Sequence, residues 1–204
     1  MTLICLIRHG ENEYTRTGKL AGWTENVVLN EAGQKQAQGL VERLKGVAFK
    51  ALYSSPLVRA RETAAPLAAA RGLEVQLEDG LGEVRYGEWT GKSLKRLART
   101  KLWRVVQTRP SAMQFPGGGE TMRGAQLRLV DTLERLAAAH PKGIVGAFSH
   151  SDPIKLAVAY YLGMPLDLFQ RLQISTASVT VLALGQGQPS LVKLNDSGPL
   201  VFKR

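Results

Sequence analysis

Short apolar runs alternate along this chain with longer segments in which apolar residues recur at helical spacing. The first run, 3–7, begins almost at once and is only five residues long, which is typical of a buried strand. Similar runs follow at intervals, and the one at 74–77 is weak. The predicted strands are 3–7, 49–53, 74–77, 143–148, 179–184 and 190–194.

The segments between these runs have the periodicity of amphipathic helices. The predicted helices are 31–44, 57–71, 94–105, 121–139 and 153–162, and the predicted loops are 8–29, 79–91 and 110–119. Asn30 and Ser93 stand where they can cap the first and third helices. Repeated strand–helix alternation predicts an α/β fold, a three-layer αβα sandwich with a mostly parallel central sheet.

Length and composition predict one globular domain. The chain has 204 residues, 44% of them hydrophobic and 22% charged, and neither an internal repeat nor a linker interrupts it. We therefore expect a single domain over 1–204. No apolar run reaches the roughly 18 residues that span a bilayer, which predicts no membrane partner. The single cysteine, Cys5, cannot form an internal disulfide, which favours a cytoplasmic location.

The net charge of +10 is concentrated between 85 and 109, where eight Lys and Arg residues face one acid, Glu88. A solvated helix face and a field that attracts an anionic substrate both explain this stretch. Nucleic-acid binding is a weaker alternative, because the chain has no aromatic-interleaved basic stripe and no recognition-helix or zinc-finger signature. We predict a small anionic substrate and no nucleic-acid partner.

Four chemical features stand at predicted strand ends or in the loops beside them. Arg8 and His9 follow the first strand, Arg59 opens the helix after the second, and His150 follows the strand 143–148. Glu83 supplies a carboxylate on a glycine-punctuated loop. Since open α/β sheets bind ligands at the carboxyl ends of their strands, these groups are expected to converge on one anion-binding pocket.

Other features have structural explanations. His140 ends an Ala-rich helix, a position that suits histidine, so it is given no catalytic role. The three glycines at 117–119 could cradle a phosphate, but a sharp turn of the chain explains them better. Metal-ligand spacings and a P-loop are missing from the sequence, which predicts no metal site.

Four motifs in this order resemble the histidine phosphatase superfamily, the phosphoglycerate-mutase-like group. They are the segments 6–11, 55–63, 83–91 and 149–150. The resemblance implies the αβα fold, no metal or other cofactor, and a covalent phosphohistidine intermediate. It implies that His9 is the nucleophile, that Arg8, Arg59 and His150 form the phosphate pocket, and that Glu83 donates a proton to the leaving oxygen. On this basis two guanidiniums and a protonated imidazole would neutralise the phosphoryl group.

The resemblance also assigns a wider substrate-binding set. Its members are Arg8, Asn12, Thr15, Gly22, Trp23, Arg59, Glu83, His150 and Ser151. Three of these depart from the family pattern, and one is Asn12, which stands where the mutases often have Ser or Thr. Thr15 stands where the mutases usually have Asn, and Ser151 stands where Gly usually follows the second histidine. The segments 20–25 and 29–33, in contrast, are mutase-like.

The segment 92–119 is predicted to be a short cap insertion. It is shorter than the insertion that closes over the site in bisphosphoglycerate-dependent mutases, and a short cap suits hydrolysis better. A phosphomonoesterase is therefore favoured over a phosphomutase, which would need 2,3-bisphosphoglycerate as phosphoryl donor. A catalytically inactive module that binds phosphorylated ligands is a further alternative. We hypothesise that Lys95, Arg96 and Arg99 read a second acidic group of the substrate. The oligomeric state stays open, a homodimer included.

Overall fold

The computed structural model describes residues 1–198; positions 199–204 of the predicted domain lie outside the described residues. Its strands are β1 (Thr2–Arg8), β2 (Ala51–Ser54), β3 (Val75–Leu77), β4 (Ile144–Ser149), β5 (Val179–Leu184) and β6 (Ser190–Asp196). Its α-helices are α1 (Glu13–Arg16), α2 (Glu31–Arg43), α3 (Val58–Arg71), α4 (Leu94–Leu97), α5 (Lys101–Thr108), α6 (Met122–Ala139) and α7 (Ser151–Tyr161). None of the helices in this described part is long and apolar enough to cross a membrane.

The strands form one sheet in the order β3-β2-β4-β1-β5-β6. β1, β2, β3 and β4 run parallel, and only β5 is reversed among the described strands, because it pairs antiparallel with both β1 and β6. In the centre of the sheet, Ile7 lies between Phe148 of β4 and Val179 of β5. The predicted mostly parallel sheet is confirmed.

Alternation along β1 divides the core into two layers, since successive side chains of a strand point to opposite faces. Cys5 and Ile7 pack against α2 and α3, whereas Ile4 and Leu6 pack against α6 and α7. The predicted αβα sandwich is confirmed. Burial raises the pKa of the Cys5 thiol to about 12, so this cysteine is an inert core residue.

A third apolar cluster lies under the loops on one side of the sandwich. It joins Val84, Tyr86 and Trp89 to Leu97 and Val106 of the cap segment, residues 92–119. This cluster fixes α4 and α5 over the carboxyl end of the sheet. At the end of the cap segment Gly117 and Gly118 have φ of 71° and 77°, values that glycine adopts freely, so the sharp-turn interpretation of the three glycines is supported.

The cap segment differs from its prediction. The single helix expected over 94–105 is two helices, because the chain breaks at Thr100. The Thr100 hydroxyl donates to the Leu97 carbonyl at 2.7 Å and accepts from the Trp103 N–H at 3.3 Å, so the side chain competes with helical hydrogen bonds and then caps α5. Ser93 caps α4 without a side-chain hydrogen bond, contrary to expectation.

The predicted loop 8–29 contains the one-turn helix α1, which is too short to show periodicity. Asn12 and Thr15 form a reciprocal capping box at its start. Asn30 caps α2 by accepting from the Gly33 N–H at 2.9 Å, as predicted. α7 begins at Ser151 rather than Pro153, which places Ser151 and Asp152 in its first turn.

Candidate active site

The parallel strands bring the predicted residues to one edge of the sheet. Arg8 ends β1 and is paired in register with Ser149, the last residue of β4, so the histidines that follow each strand are neighbours. The ring centroids of His9 and His150 lie 5.1 Å apart. Arg59 joins them from the first turn of α3, directly after β2. The structure therefore brings together the two histidines and two arginines that the sequence pattern placed at strand ends.

His9 is buried, and one of its ring nitrogens has no hydrogen-bond partner among the described residues. Its Nδ1 lies 2.7 Å from the carbonyl oxygen of Gly10. Because a carbonyl can only accept, Nδ1 carries the proton and Nε2 keeps its lone pair. Burial lowers the pKa of His9 well below its ordinary value, and the charges of Arg59 and Arg8 lower it further. The ring is neutral, as a nitrogen nucleophile must be.

Arg8 and Arg59 present buried N–H donors that the described residues do not use. One terminal nitrogen of Arg8 donates to the Ile174 carbonyl at 2.6 Å, and one of Arg59 donates to the Gly22 carbonyl at 2.8 Å. Nε of Arg8, and Nε and Nη1 of Arg59, have no partner among the described residues. A buried guanidinium with free donors is costly without an anion, so the pair defines an oxyanion site.

His150 is completely buried, and its Nε2 lies 2.8 Å from the Ser55 hydroxyl. Its Nδ1 has no partner among the described residues. Burial, followed by the charge of Arg59, lowers the pKa of His150 well below its ordinary value. Two nearby guanidiniums disfavour a third positive charge, so they favour the neutral ring over the protonated ring that the resemblance implies.

Glu83 lies on the loop between β3 and the cap segment and is nearly buried. One carboxyl oxygen accepts from the Val84 N–H at 2.9 Å. Burial and the charge of Asp152 raise the pKa of Glu83 to about 7, although Arg59 and Arg8 oppose the shift. The carboxyl group is therefore partly protonated at neutral pH, which suits an acid that also serves as a base.

Arg128 of α6 holds the loop that carries Glu83, a role that sequence reasoning missed. It donates to the carbonyls of Gly80 at 2.8 Å and Gly82 at 3.0 Å, and to the Glu83 carbonyl at 3.2 Å. It also forms a two-pronged ion pair with Glu120, at 2.7 and 3.0 Å. No local signal marks this arginine, because its partners are brought to it only by the fold.

A cavity of about 300 Å³ opens at these groups. Within the predicted substrate-binding set, Arg8, Asn12, Thr15, Arg59, Glu83 and Ser151 line it. Asn12 is completely buried, and its amide nitrogen has no partner among the described residues. The Thr15 hydroxyl accepts from the Asn12 N–H and donates to the Asn12 carbonyl, so Thr15 shapes the entry loop.

Gly22, Trp23 and His150 lie outside the cavity lining. Gly22 and Trp23 position residues that do line the cavity. The Gly22 carbonyl accepts from Arg59, and the Trp23 indole donates to the Glu83 carbonyl at 2.6 Å. His150 lies beside His9, and its Nδ1, unpartnered among the described residues, keeps it a candidate ligand of a phosphoryl oxygen. The structure thus separates residues that face the cavity from residues that hold them in place.

The basic cap residues are not at the cavity. The cap segment lines it with Leu94, Trp103, Val106, Gln107 and Phe115. Lys95, Arg96 and Arg99 are exposed on the outer surface instead. Their position does not support the hypothesis that these three residues read a second acidic group, because the helices α4 and α5 turn their apolar faces inward and their charges to solvent.

The sequence profile of the histidine phosphatase superfamily, branch 1, matches residues 4–197. The chain belongs to this superfamily. It is 30% identical over 197 residues to phosphoserine phosphatase 1 of Hydrogenobacter thermophilus, covering 96% of this chain and 92% of that one. It is also 30% identical over 198 residues to a 2,3-bisphosphoglycerate-dependent phosphoglycerate mutase of Thermoplasma acidophilum, covering 92% and 90%.

A solved structure supports the same family membership. A phosphoserine phosphatase mutant from Entamoeba histolytica, crystallised with phosphoserine, superposes with a TM-score of 0.89 at 27% identity, covering 98% of this chain and all of that one. The histidine phosphatase fold and membership that the four motifs indicated are confirmed. Members of the superfamily are phosphatases or phosphomutases, and the phosphohistidine mechanism is the family's, so this chain is an enzyme of that kind.

Proposed function

We propose that this histidine phosphatase is a metal-independent phosphomonoesterase that hydrolyses a small phosphorylated metabolite through a phosphohistidine on His9. One observation carries the proposal: the Nε2 lone pair of a neutral His9, the unpartnered N–H groups of the half-buried Arg8 and the buried Arg59, and the raised pKa of Glu83 occur together around one cavity. These are a nucleophile, an oxyanion site and a proton donor, as phosphoryl transfer requires.

In the first step, Nε2 of His9 attacks phosphorus and the bond from phosphorus to the ester oxygen breaks. Arg8 and Arg59 neutralise the charge spread over the three equatorial oxygens, each charge-assisted hydrogen bond contributing about 1.5–3 kcal/mol. Protonated Glu83 gives its proton to the leaving alkoxide, which departs as an alcohol. The Nδ1–H of His9, held by the Gly10 carbonyl, stabilises the ring as it acquires positive charge.

In the second step, water attacks the phosphohistidine from the side that the alcohol has left. Glu83, now a carboxylate, accepts the proton from the water, and the bond from phosphorus to Nε2 breaks. Inorganic phosphate leaves, and both His9 and Glu83 return to their starting protonation states. A pKa of about 7 lets one carboxyl group serve in both steps.

Hydrolysis is favoured over phosphoryl transfer to a second substrate because of the short cap segment. A mutase must keep water away while the phosphohistidine persists. The similarity to a phosphoglycerate mutase keeps a phosphomutase as the second candidate, and 2,3-bisphosphoglycerate would then be its phosphoryl donor. Phosphoserine and phosphoglycerate are the first compounds to test, given the names of the relatives.

The remaining features of the proposal follow from charge and composition. The two guanidiniums supply the positive charge that a metal ion provides in other phosphatases, so we propose that no metal is needed. We propose a single catalytic domain whose cap segment is residues 92–119. The lone buried thiol of Cys5 is consistent with a cytoplasmic enzyme.

A paired assay in EDTA tests the proposal. One arm follows phosphate release from a panel of phosphomonoesters, and the other follows interconversion of 3- and 2-phosphoglycerate with a trace of 2,3-bisphosphoglycerate. Fast release with negligible interconversion is expected. Fast interconversion with little release would establish the phosphomutase instead, and activity lost in EDTA but restored by a divalent cation would overturn metal independence.

A further inference from the structure

The charges around the cavity exceed what a phosphate group needs. The Lys, Arg, Asp and Glu side chains that line it are Arg8, Arg59, Lys19, Lys155, Asp152 and Glu83. In the form that starts the proposed reaction Glu83 is protonated, so four cations face one carboxylate and the lining carries a surplus of three positive charges. A phosphomonoester dianion balances two of them. One positive charge is left for another part of the substrate.

Lys155 is the cation best placed to bind that part. Its side chain is only 14% exposed, whereas Lys19 lies on the exposed rim. The Lys155 ammonium donates to Asp152 and to the Gln170 side-chain carbonyl, each at 3.3 Å, and it lies over the ring of Phe169. An ammonium has three N–H donors, so these contacts fix its position and leave one donor for a ligand.

Asp152 and Gln170, the two side chains that hydrogen-bond to Lys155, have different roles. Asp152 is held at its second oxygen by the Tyr86 hydroxyl, at 2.9 Å, so this carboxylate is a fixed part of the wall. The side chain of Gln170 accepts from Lys155 through its oxygen, which turns its amide N–H groups away from the ammonium. Both Lys155 and Gln170 line the cavity, and together they offer donors to a planar anion.

The position of Lys155 on α7 fits a short substrate. α7 begins directly after His150, and Lys155 lies one turn beyond Ser151, about 6 Å along the helix axis. Helical side chains lean toward the N-terminus, so the Lys155 side chain leans back toward the phosphate site. A short carbon skeleton between ester oxygen and second anion covers such a separation. The cap residues that line the cavity, Leu94, Trp103 and Val106 among them, carry no charge.

From this geometry we propose that Lys155, fixed by Asp152 and assisted by Gln170, is a specificity-determining residue that binds a carboxylate on the substrate. A carboxylate a few bonds from the phosphate ester, as in the phosphoserine and phosphoglycerate named for the relatives, would then contact Lys155. The inference rests on the proposed phosphatase function and adds the group that selects the substrate at the same site.

Two compounds that differ only in the carboxylate test it. O-Phosphoserine and O-phosphoethanolamine share the phosphate, the amine and a primary alkoxide leaving group. The wild-type enzyme is expected to prefer phosphoserine by about ten- to a hundredfold in kcat/KM, the range for hydrogen bonds to a charged group. In Lys155→Met the ratio is expected to fall to within about threefold of one, and Lys155→Arg is expected to retain more of it.

Lys95→Met is the matched control. It removes the same charge from an exposed position outside the cavity, so the ratio of the two kcat/KM values should match wild type. A wild-type ratio near one, or a ratio that Lys155→Met leaves unchanged, would overturn the inference. An equal fall in both variants would also overturn it, since the net charge rather than Lys155 would then be responsible.

Binding to the His9→Ala variant tests the carboxylate preference separately from the phosphatase activity. Calorimetry with the same two compounds measures the carboxylate preference without turnover, and the preference is again expected to disappear when Lys155→Met is added. Failure of the wild-type enzyme to release phosphate from either compound or from 4-nitrophenyl phosphate would count against the proposed function. Equal affinity of His9→Ala for both compounds would overturn the carboxylate-binding role of Lys155 and leave the proposed phosphatase function unaffected.

Discussion

The rings of His9 and His150 lie 5.1 Å apart between centroids, inclined at 59°, and the two make different hydrogen bonds. His9 gives its Nδ1 proton to the Gly10 carbonyl, whereas His150 directs Nε2 to the Ser55 hydroxyl. Each ring follows one of two adjacent parallel strands. The two rings can therefore have different roles. His9 can offer the lone pair of Nε2 to phosphorus, and the Nδ1 of His150, which has no partner among the described residues, can bind a phosphoryl oxygen.

Replacing the proton donor should affect poor leaving groups most. Glu83→Gln is expected to lower kcat by about 10²–10⁴ for an alkyl phosphate, because the alkoxide then leaves without a proton. The loss should be much smaller for 4-nitrophenyl phosphate, whose leaving group needs little protonation. Parallel kcat measurements on both substrates check this. Equal losses would mean that Glu83 supports the site without donating the proton.

The raised pKa of Glu83 also predicts a pH dependence of stability. Between its ordinary value of 4.5 and its folded value of about 7, the folded state binds more protons than the unfolded state. The free energy of unfolding therefore falls as pH rises through this window, by up to about 3 kcal/mol from this group. Glu83→Gln removes the effect, so its melting temperature relative to wild type should increase between pH 5 and pH 8.

The two active-site histidines act in the opposite direction and serve as an internal check. Their pKa values are lowered in the folded state, so unfolding takes up protons below about pH 6.5 and stability falls in acid. This loss is shared by wild type and Glu83→Gln and cancels in the comparison. A melting-temperature difference that stays constant from pH 5 to pH 8 would contradict the assignment of a raised pKa to Glu83.

Arg128 is expected to act as a positioning residue. Arg128→Met removes three donors to loop carbonyls and leaves Glu120 without its partner, which should cost about 1–3 kcal/mol of unfolding free energy. Because the loop carries Glu83, kcat should fall more for an alkyl phosphate than for 4-nitrophenyl phosphate. Arg128→Lys should restore little, since an ammonium cannot reproduce the fork of donors. Equal losses on both substrates would indicate a purely structural role.

The basic cap residues should act only over long range. Replacing Lys95, Arg96 and Arg99 together with Gln is expected to lower kcat/KM for anionic substrates at low salt, because their field attracts anions to the cavity. The difference from wild type should shrink to within about twofold at 0.5 M salt, where such fields are screened. A large difference that persists at high salt would place one of these side chains in contact with the substrate.

Sequence reasoning could predict the parts of the site that follow from strand order. His9, Arg8, Arg59 and His150 stand at the ends of short apolar runs, and parallel strands bring such ends together. The cap of α2 by Asn30 was equally predictable, because it depends on residues three positions apart. These features rest on local pattern and general topology, which a single sequence contains.

The rest depends on contacts between distant parts of the chain. Helical spacing cannot show that Thr100 breaks the cap helix, nor that the apolar face of α5 covers the cavity while its charges face solvent. Arg128 and Lys155 look like ordinary charged residues of amphipathic helices. Their roles arise only when the loop at 80–83 and the side chain of Gln170 are folded against them.

The proposed mechanism depends on a covalent phosphoryl group on His9. The most direct measurement mixes the enzyme with a ³²P-labelled phosphomonoester in EDTA, quenches the reaction in alkali within milliseconds, and maps the label by proteolysis. Label should appear on the peptide that contains His9 at a rate no slower than turnover. It should be absent from His9→Ala, which should have lost at least about a thousandfold in kcat while remaining folded. Normal turnover without label on His9, or turnover retained in the folded variant, would contradict the mechanism.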